Sequence, residues 1–264
     1  MNMTPQTEKL IAEGRANMPA TIREMADLGA LFVVNHSAGK DSQAMMIYLK
    51  EIGISPEQML VIHADLGAVE WKGNLDHIRA TAGNVETITA EAKTSFFDMV
   101  ERRQMFPSPS QRQCTSDLKR GPIEREIRRY LKAHPEFRGL VVNCMGMRAQ
   151  ESASRAKKDA VQFSNRNSKA GRHWFDWLPI HSLTTEDVFR LIEDAGQQPH
   201  YAYALGMTRL SCCFCIMASV NDLTVAAQAN PELYARYVAT EKRINHTLSM
   251  SRKPLEEITG IKAA

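Results

Sequence analysis

Short runs rich in apolar and β-branched residues recur along the chain. They occupy residues 31–34, 59–64, 85–89 and 140–144. Such runs are typical of strands buried on both faces, since a half-buried strand alternates apolar and polar positions. Between these runs, helical stretches are predicted at 42–52, 71–82, 117–133 and 184–195. The alternation of strand and helix therefore predicts an α/β fold, with a parallel sheet that has helices on both faces.

The two ends of the chain predict helical additions to this sheet. Residues 5–28 have the apolar stripe of one helix, and two helices broken near Asn230-Pro231 are expected after residue 220. We therefore predict three parts, at 1–28, 29–218 and 219–264. No apolar run approaches the roughly 18 residues that a membrane span needs, so no membrane partner is expected. The first residues carry no apolar signal core, and we expect a cytoplasmic protein.

The charges are nearly balanced overall but are clustered in one segment. The chain has 33 Lys and Arg against 30 Asp and Glu, with 44% hydrophobic residues, which excludes a disordered or fibrous chain. Residues 153–173 contain many Lys and Arg residues but only one acid, Asp159. We interpret this segment as a mobile basic loop, either a solvated surface segment or a flap that grips phosphate groups.

The polar loop after the first predicted strand has the composition of an anion-binding turn. Its sequence is NHSAGKDS, residues 35–42. Small residues let backbone N–H groups approach an anion, and the N-terminus of the following helix adds its positive dipole end. Ser37 and Ser42 supply hydroxyl donors, and Lys40 supplies a full positive charge. The GxxxxGK[ST] spacing of a Walker A loop is absent.

Two further polar motifs follow the ends of later predicted strands. Residues 63–67, HADLG, place Asp65 and Gly67 where a carboxylate can bind a ribose hydroxyl, an adenine amine or Mg²⁺. Residues 146–152, GMRAQES, are followed by Arg155. A guanidinium at a strand end suits a phosphate or sulfate, with a structural ion pair as the alternative. Ligands of such folds bind beyond the carboxyl ends of the strands, so the three motifs predict one ligand site.

Together these motifs resemble the PP-loop ATP pyrophosphatases, over about residues 30–218. Residues 37–42 are similar to the SGGKDS pyrophosphate loop, and the other two motifs resemble the phosphoadenosine phosphosulfate (PAPS) reductase branch. The resemblance implies a Rossmann-like, adenine nucleotide alpha hydrolase-like domain at 29–218 that uses ATP with Mg²⁺. It implies catalytic roles for Lys40, Asp41 and Arg148. It implies nucleotide binding by Ser37, Ala38, Gly39, Lys40, Asp41, Ser42, Asp65, Gly67, Gly146, Arg148, Glu151 and Arg155.

The cysteines indicate metal or redox chemistry more than disulfides. Of the five cysteines, three crowd at Cys212, Cys213 and Cys215, which contain a C-x-x-C pair. Two thiolates of such a tight turn can bind one metal or cluster. With Cys114, the layout resembles cluster-bearing family members, which implies a [4Fe-4S] cluster on Cys114, Cys212 and Cys215.

The identity of the metal and of the fourth ligand stays open at this point. Cluster-bearing reductases often carry Cys-Cys at the first site, where Thr115 replaces the second cysteine here. Cys213, a substrate-bound sulfur and an open iron position are the alternatives. Zinc and buried, unliganded thiols are the competing interpretations. Cys144 lies within a predicted strand and is interpreted as a small core residue.

The resemblance also favours one branch of the family. Thioredoxin-dependent reductases attack sulfur with a cysteine near the C-terminus, and no cysteine follows Cys215 in this sequence. We therefore expect an ATP pyrophosphatase that adenylylates an acceptor for sulfur insertion. Its features are most similar to those of the ATP pyrophosphatase component of DNA phosphorothioation systems. The DNA backbone and a cysteine desulfurase or other persulfide donor are the expected partners, and a homodimer is compatible with the sequence. The alternatives are a sulfite-forming PAPS or adenosine phosphosulfate reductase, a tRNA thiolation enzyme and a non-catalytic nucleotide-sensing subunit.

Overall fold

The computed structural model describes residues 3–263, which form a six-stranded sheet with helices. The strands are β1 (Leu31–Asn35), β2 (Met59–Asp65), β3 (Thr87–Glu91), β4 (Leu140–Met145), β5 (Val161–Phe163) and β6 (His173–Trp177). The helices are α1 (Pro5–Ala16), α2 (Ala20–Asp27), α3 (Lys40–Glu51), α4 (Asn74–Ala82), α5 (Phe96–Arg103), α6 (Gln113–Thr115), α7 (Gly121–Ala133), α8 (Ala153–Ala156), α9 (Thr185–Asp194), α10 (Val220–Ala229), α11 (Pro231–Ile244) and α12 (Leu255–Thr259).

The sheet has the strand order β3-β2-β1-β4-β6-β5. β1 pairs in parallel with β2 and β4, with Val33 opposite Leu60 and Asn143, and β4 pairs in parallel with β6. The four strands predicted from apolar runs are present, with bounds shifted by at most two residues. The α/β Rossmann-like prediction is confirmed. The edge strand β5 runs antiparallel to β6, and neither β5 nor β6 was predicted.

The centre of the sheet is dry because β1 carries no polar side chain before its last residue. Leu31, Phe32, Val33 and Val34 are all 0% exposed. Polarity begins at Asn35, at the carboxyl end of the strand, whose side chain donates to Asn143 Oδ1 over 2.7 Å. The apolar run therefore buries the strand, and the first polar residues mark the edge at which a ligand can meet the sheet.

The chain divides into two compact units. The first comprises the residues up to His63, Leu75–Thr89 and Glu124–Pro199, and the second comprises Ala64–Asn74, Ala90–Ile123 and the residues from His200 onward. The predicted division at 1–28, 29–218 and 219–264 stays a prediction.

In the first unit the predicted helix at 5–28 is two helices. α1 ends at Ala16 and α2 begins at Ala20, directly after Pro19. A proline interrupts a helix because its nitrogen carries no hydrogen and its ring clashes with the preceding turn. Thr4 caps α1 and also donates from Oγ1 to Asp194 Oδ2 at the end of α9 over 2.6 Å. The N-terminal helices thus belong to the packing of the first unit.

The second unit has an aromatic core. The Tyr237 ring lies 4.9 Å from both the Phe97 and the Phe214 ring centroids, and Phe106 stacks on the same ring at 6.1 Å. The helices predicted on either side of Asn230-Pro231 are α10 and α11. α5 and α12 were not predicted, because each is short and supplies little periodic signal.

The basic segment 153–173 is not the loop without secondary structure that the sequence predicted. It contains α8 and β5, and Arg166 Nη2 donates to Glu124 Oε2 over 2.7 Å. Asn167 Nδ2 donates to the other oxygen of that carboxylate over 3.2 Å. Because the Glu124 side chain is only 9% exposed, these bonds anchor the turn that joins β5 and β6. The anchoring residue is distant in sequence, so local composition could not show it.

Among residues 3–263, no helix is both long enough and apolar enough to cross a membrane.

Candidate nucleotide-binding site

The loop of residues 36–39 leads from the carboxyl end of β1 directly into helix α3. α3 begins at Lys40, two residues earlier than predicted, so Lys40 and Asp41 lie in its first turn. The first N–H groups of a helix have no intrahelical acceptor, and with the dipole they form an anion site. The loop is closed by Ser42, whose Oγ donates to Gly39 O over 2.9 Å and accepts from Ser37 N–H over 3.1 Å.

His36 completes this loop and was not among the predicted site residues. It is 2% exposed, and its Nδ1 accepts a hydrogen bond from Ala38 N–H over 3.1 Å. Its Nε2 faces Thr81 Oγ1 at 3.5 Å. Burial, followed by the charges of His77 and His63, lowers the pKa of His36 to about 3, so the imidazole is neutral at ordinary pH.

Asp41 is held between two cations. Its Oδ2 accepts from Lys40 Nζ over 3.0 Å, and its Oδ1 accepts from Arg148 Nε over 2.6 Å. The side chains of Lys40 and Arg148 are only 7% and 3% exposed, so this is a largely buried ion cluster. Two cations and one carboxylate leave one net positive charge at the start of α3, which favours an anionic ligand.

Arg148 makes most of its hydrogen bonds inside the protein. Beyond Asp41, it donates from Nη1 to Gln150 Oε1 at 2.9 Å and to Leu183 O at 3.3 Å, and from Nη2 to Thr185 Oγ1 at 3.2 Å. A guanidinium has five N–H donors, and these contacts occupy most of them. The geometry favours a role in holding Asp41 over direct contact with a phosphate. The predicted catalytic role of Arg148 stays a prediction.

The other residues of the motif at 146–152 lie close to the start of α3 in the first unit. A Cβ on Gly146 would lie 3.1 Å from Asp41 O and 3.2 Å from Ser42 N, so the backbone after β4 packs directly against the start of α3. Glu151 Oε2 accepts from Arg148 N–H over 2.8 Å and forms an ion pair with Arg155. Gly146, Arg148 and Glu151 are thus brought close to the start of α3, and their role in binding a nucleotide stays a prediction.

Asp65 and Gly67 belong to a cavity of the second unit. Asp65 Oδ1 accepts from Gly67 N–H over 2.7 Å, and Gly67 has a left-handed φ of 61°. The cavity has a volume of about 300 Å³, and Glu91 and Phe96 are among its lining residues. A phenyl ring and carboxylates suit the faces and hydrogen-bond donors of a nucleoside. The role of Asp65 stays a prediction.

Cys114, Cys212 and Cys215 share one electrostatic neighbourhood around Lys119 in the second unit. Burial raises the pKa of Cys212 to about 11, against the opposing effect of Lys119, and Cys215 and Cys114 raise it further. The charge of Cys212, above all, raises the pKa of Lys119. Met217 N–H donates to Cys215 Sγ over 3.5 Å. The charges of all three predicted metal ligands therefore act on the pKa of Lys119.

The three cysteine thiols are suitable ligands for an iron–sulfur cluster, although their side chains are not arranged around a common metal position. Within the described residues, no three or more His, Cys, Asp or Glu side chains are arranged as a metal site. Three thiols from two segments are nevertheless the ligand type that iron–sulfur clusters and zinc take. Cys213 is 0% exposed and therefore lies in the core, and its backbone N–H donates to Val69 O over 2.9 Å. Cys144 is buried in β4, as predicted.

Lys119 and His36 are the residues that sequence reasoning missed. The signal for His36 was its position directly before the loop, at the end of a buried strand. The signal for Lys119 was its place in a C-x-x-x-x-K segment that begins at Cys114, before the Pro122 of α7.

Comparison with known sequences gives a family match and one curated relative. Residues 32–218 match the family model described as "Phosphoadenosine phosphosulfate reductase domain". An uncharacterised 37.8 kDa protein of Escherichia phage 186 is 30% identical over 149 residues, which cover 56% of this chain and 43% of that protein. The match therefore spans less than half of the length of that relative.

Solved structures show similarity of fold. FMN adenylyltransferase of Candida glabrata, in complex with FAD and inorganic pyrophosphate, aligns with a TM-score of 0.51 and 13% identity, covering 78% of this chain and 64% of that one. PAPS reductase of Candida auris, in a phosphate complex, aligns with a TM-score of 0.45 and 12% identity, covering 80% of this chain and 97% of that one. The first similarity concerns the fold alone, and the second is too low to support an inference.

Proposed function

Because the chain belongs to the phosphoadenosine phosphosulfate reductase domain family of PP-loop enzymes, we propose that it splits ATP to activate an acceptor for sulfur insertion. The acceptor class we propose is the nucleic acid backbone, with DNA first. ATP places its β- and γ-phosphates at residues 37–42, pyrophosphate leaves, and an adenylylated acceptor forms. We place this reaction in the cytoplasm, where ATP is available.

The observation that carries this proposal is the ion cluster at the start of α3. Lys40 is 6% exposed and is held by Asp41, which Arg148 holds in turn. A buried lysine in the first turn of α3 places fixed positive charge, beside the positive end of the helix dipole, where a leaving pyrophosphate gains negative charge. Charge fixed before the reaction stabilises the transition state without the cost of reorganisation.

The first chemical step is an in-line displacement at the α-phosphorus. An oxygen of the acceptor forms the new P–O bond, and the bond to the bridging oxygen of pyrophosphate breaks. Lys40 and the first-turn N–H groups of α3 stabilise the departing pyrophosphate, while Arg148 keeps Asp41 and hence Lys40 in place. Mg²⁺ is expected to accompany ATP, and we propose Asp65, the last residue of β2, as a ligand-binding carboxylate.

In the second step, sulfur displaces AMP from the adenylylated acceptor. We propose a persulfide donor such as a cysteine desulfurase as the source, with an external thiol to reduce the donor's S–S bond. Cys114, Cys212 and Cys215 would hold a [4Fe-4S] cluster, or zinc as the alternative. A bound cluster with an open iron position would supply a site for sulfur. The positive charge of Lys119 opposes the rise in the pKa of Cys114 and Cys212 and so favours their thiolate forms.

The positive charge of the hairpin of β5 and β6, and of the residues that precede it, supports the proposal of a polyanionic acceptor. Lys157, Lys158, Arg166 and Lys169 are exposed there, and Asp159 is the one acid of residues 153–173. Cations that neutralise phosphates dominate the affinity of proteins for nucleic acids. Because Arg166 is anchored to Glu124, the surface presents its lysines from a defined backbone.

A second candidate function is reduction of an adenylyl sulfate to sulfite, which the description of the matched family domain favours. It would use the same loop for a nucleotide that is already adenylylated, and it would consume no ATP. Thiolation of tRNA follows the chemistry of the first proposal with another acceptor.

The test is pyrophosphate release from ATP by anaerobically purified protein, with and without DNA, tRNA and a desulfurase. Lys40→Ala and Asp41→Ala should each lower the rate by about a hundredfold or more. Lys50→Ala is the matched control, because Lys50 lies at the other end of α3 and donates to Ala82 O. Sulfite formed from adenylyl sulfate and reduced thioredoxin, without pyrophosphate release from ATP, would establish the second candidate instead.

A further inference from the structure

The backbone of Ala38 has a conformation that alanine rarely adopts. Its φ is 63°, in the left-handed region, and the residue is 0% exposed. Glycine populates this region freely, whereas the Cβ of an L-residue is crowded there. The loop therefore has a strained residue at its centre, and something outside that residue must hold it in place.

The imidazole of His36 is the group that contacts it. Nδ1 accepts from Ala38 N–H over 3.1 Å, which requires the ring proton to be on Nε2, towards Thr81. His36 is itself fixed on both sides, because its N–H donates to Ile62 O over 2.9 Å and its carbonyl lies 2.9 Å from His63 Nδ1. His36, the first residue of the loop, is thus fixed by its contacts with β2.

We propose that His36 is a positioning residue, whose neutral Nδ1 holds Ala38 in the left-handed conformation that glycine would adopt unaided. Held in this way, residues 37–39 leave the first-turn N–H groups of α3 and Lys40 directed at the pyrophosphate. The inference rests on the proposed function for its ligand. Its structural part, the dependence of Ala38 on His36, stands independently of the ligand.

The hydrogen bonds within the loop support a role for His36 in positioning the backbone rather than in binding the anion. Ser37 N–H is bonded to Ser42 Oγ and Ala38 N–H to His36 Nδ1. Two amides of the loop, those of Ser37 and Ala38, therefore bond within the protein, and an anion is expected beyond them, at the N-terminus of α3. His36 consequently shapes the site without contacting the nucleotide.

Two substitutions of His36 distinguish the hydrogen bond that Nδ1 accepts from the packing of the side chain. In His36→Asn the side-chain oxygen takes the place of Nδ1 and retains the acceptor. In His36→Gln the polar atoms shift towards the place of Nε2, and the acceptor at Ala38 is lost. Ala38→Gly, alone and combined with His36→Gln, removes the need for the acceptor. Binding of Mg·ATP and of inorganic pyrophosphate to the full chain is measured by calorimetry.

We expect His36→Gln to weaken pyrophosphate binding by about tenfold. His36→Asn should remain within about threefold of the natural protein, and Ala38→Gly should restore the His36→Gln variant to a similar level. Equal losses in the Asn and Gln variants, or no rescue by Ala38→Gly, would show that His36 acts only through packing and overturn the inference.

A measurement without ligand separates this inference from the proposed function. Ala38→Gly should raise the urea midpoint of the His36→Gln variant by more than it raises that of the natural protein. Additive midpoints overturn the inference, whether or not ATP binds. If the natural protein binds neither Mg·ATP nor pyrophosphate, the proposed function fails, while non-additive midpoints still support the role of His36.

Discussion

Arg148 Nε donates to Asp41 Oδ1 over 2.6 Å and thereby joins the segment after β4 to the first turn of α3. The two residues are 107 positions apart in the sequence. Asp41 in turn holds Lys40, so the position of the lysine depends on a strand that is distant along the chain. The positions of the charged side chains that follow the loop of residues 36–39 therefore depend on tertiary contacts as well as on the local sequence.

Arg148→Lys should disrupt this cluster. A lysine cannot reproduce the fork that reaches Asp41, Gln150 and Thr185, and it leaves the Asp41 carboxylate partly unpaired. We expect a loss of about 3 kcal/mol in the free energy of unfolding, measured in urea, together with slower pyrophosphate release. Lys253→Ala, which removes the exposed pair with Glu257, is the control and should leave the urea midpoint unchanged. An unchanged midpoint for Arg148→Lys would contradict the role given to the pair.

Gly146→Ala should displace the start of α3. Its Cβ would meet backbone atoms of Asp41 and Ser42 at 3.1 to 3.2 Å, and backbone cannot move aside as a flexible side chain can. We expect a loss of about 1–3 kcal/mol in stability and a raised KM for ATP. Urea unfolding and steady-state kinetics check the two effects. A variant with unchanged KM would show that the packing contact does not set the phosphate site.

Stability should fall in mild acid because of His36. Its pKa is about 3 in the folded protein and 6.5 when unperturbed, so the unfolded chain takes up the proton first. Stability from this residue is therefore complete above about pH 6.5 and is lost as the pH falls towards 3, by about 1 kcal/mol between pH 7 and 5.5. Urea unfolding at both pH values measures it. His36→Asn cannot titrate and should show a smaller loss, and equal losses would contradict the assignment.

The cysteines should bind iron as a set of three. Anaerobic reconstitution with iron and sulfide should give a brown protein, and Cys114→Ser, Cys212→Ser or Cys215→Ser should each lose colour and iron. Cys144→Ala is the matched control, because Cys144 is buried in β4 and should retain both. Elemental analysis distinguishes the outcomes. A colourless protein that contains zinc would overturn the cluster and retain the metal site.

The exposed lysines before and within the hairpin should govern nucleic acid affinity. Replacing Lys157, Lys158 and Lys169 by Ala should weaken binding of a DNA oligonucleotide and lower the slope of log K against log salt by about 0.9 per lost phosphate contact. Fluorescence anisotropy at several salt concentrations measures the slope. Arg166 is left unchanged, because its bond to Glu124 anchors the turn. Lys9→Ala, on the exposed side of α1, is the control. An unchanged slope in the triple variant would exclude this surface.

Local pattern was sufficient for four of the six strands and for the three motifs. Apolar runs mark β1, β2 and β4 because a strand buried on both faces needs no polar residue, and the motifs follow because polar residues begin where such strands end. These are properties of neighbouring residues, and they are visible in the sequence. The order of the motifs was enough to identify the family.

The partners of the charged side chains were decided by the fold. Arg148 is of a residue type that often binds phosphate, yet its N–H donors are largely occupied by Asp41 and neighbouring groups. The basic segment was predicted as an irregular loop, yet Glu124 anchors it as part of a hairpin. His36 was passed over, yet it holds Ala38. Each case depends on a side-chain contact or a backbone conformation that sequence spacing does not determine. The energy of a charged group or a hydrogen-bond donor depends on the partner that lies next to it in the folded chain.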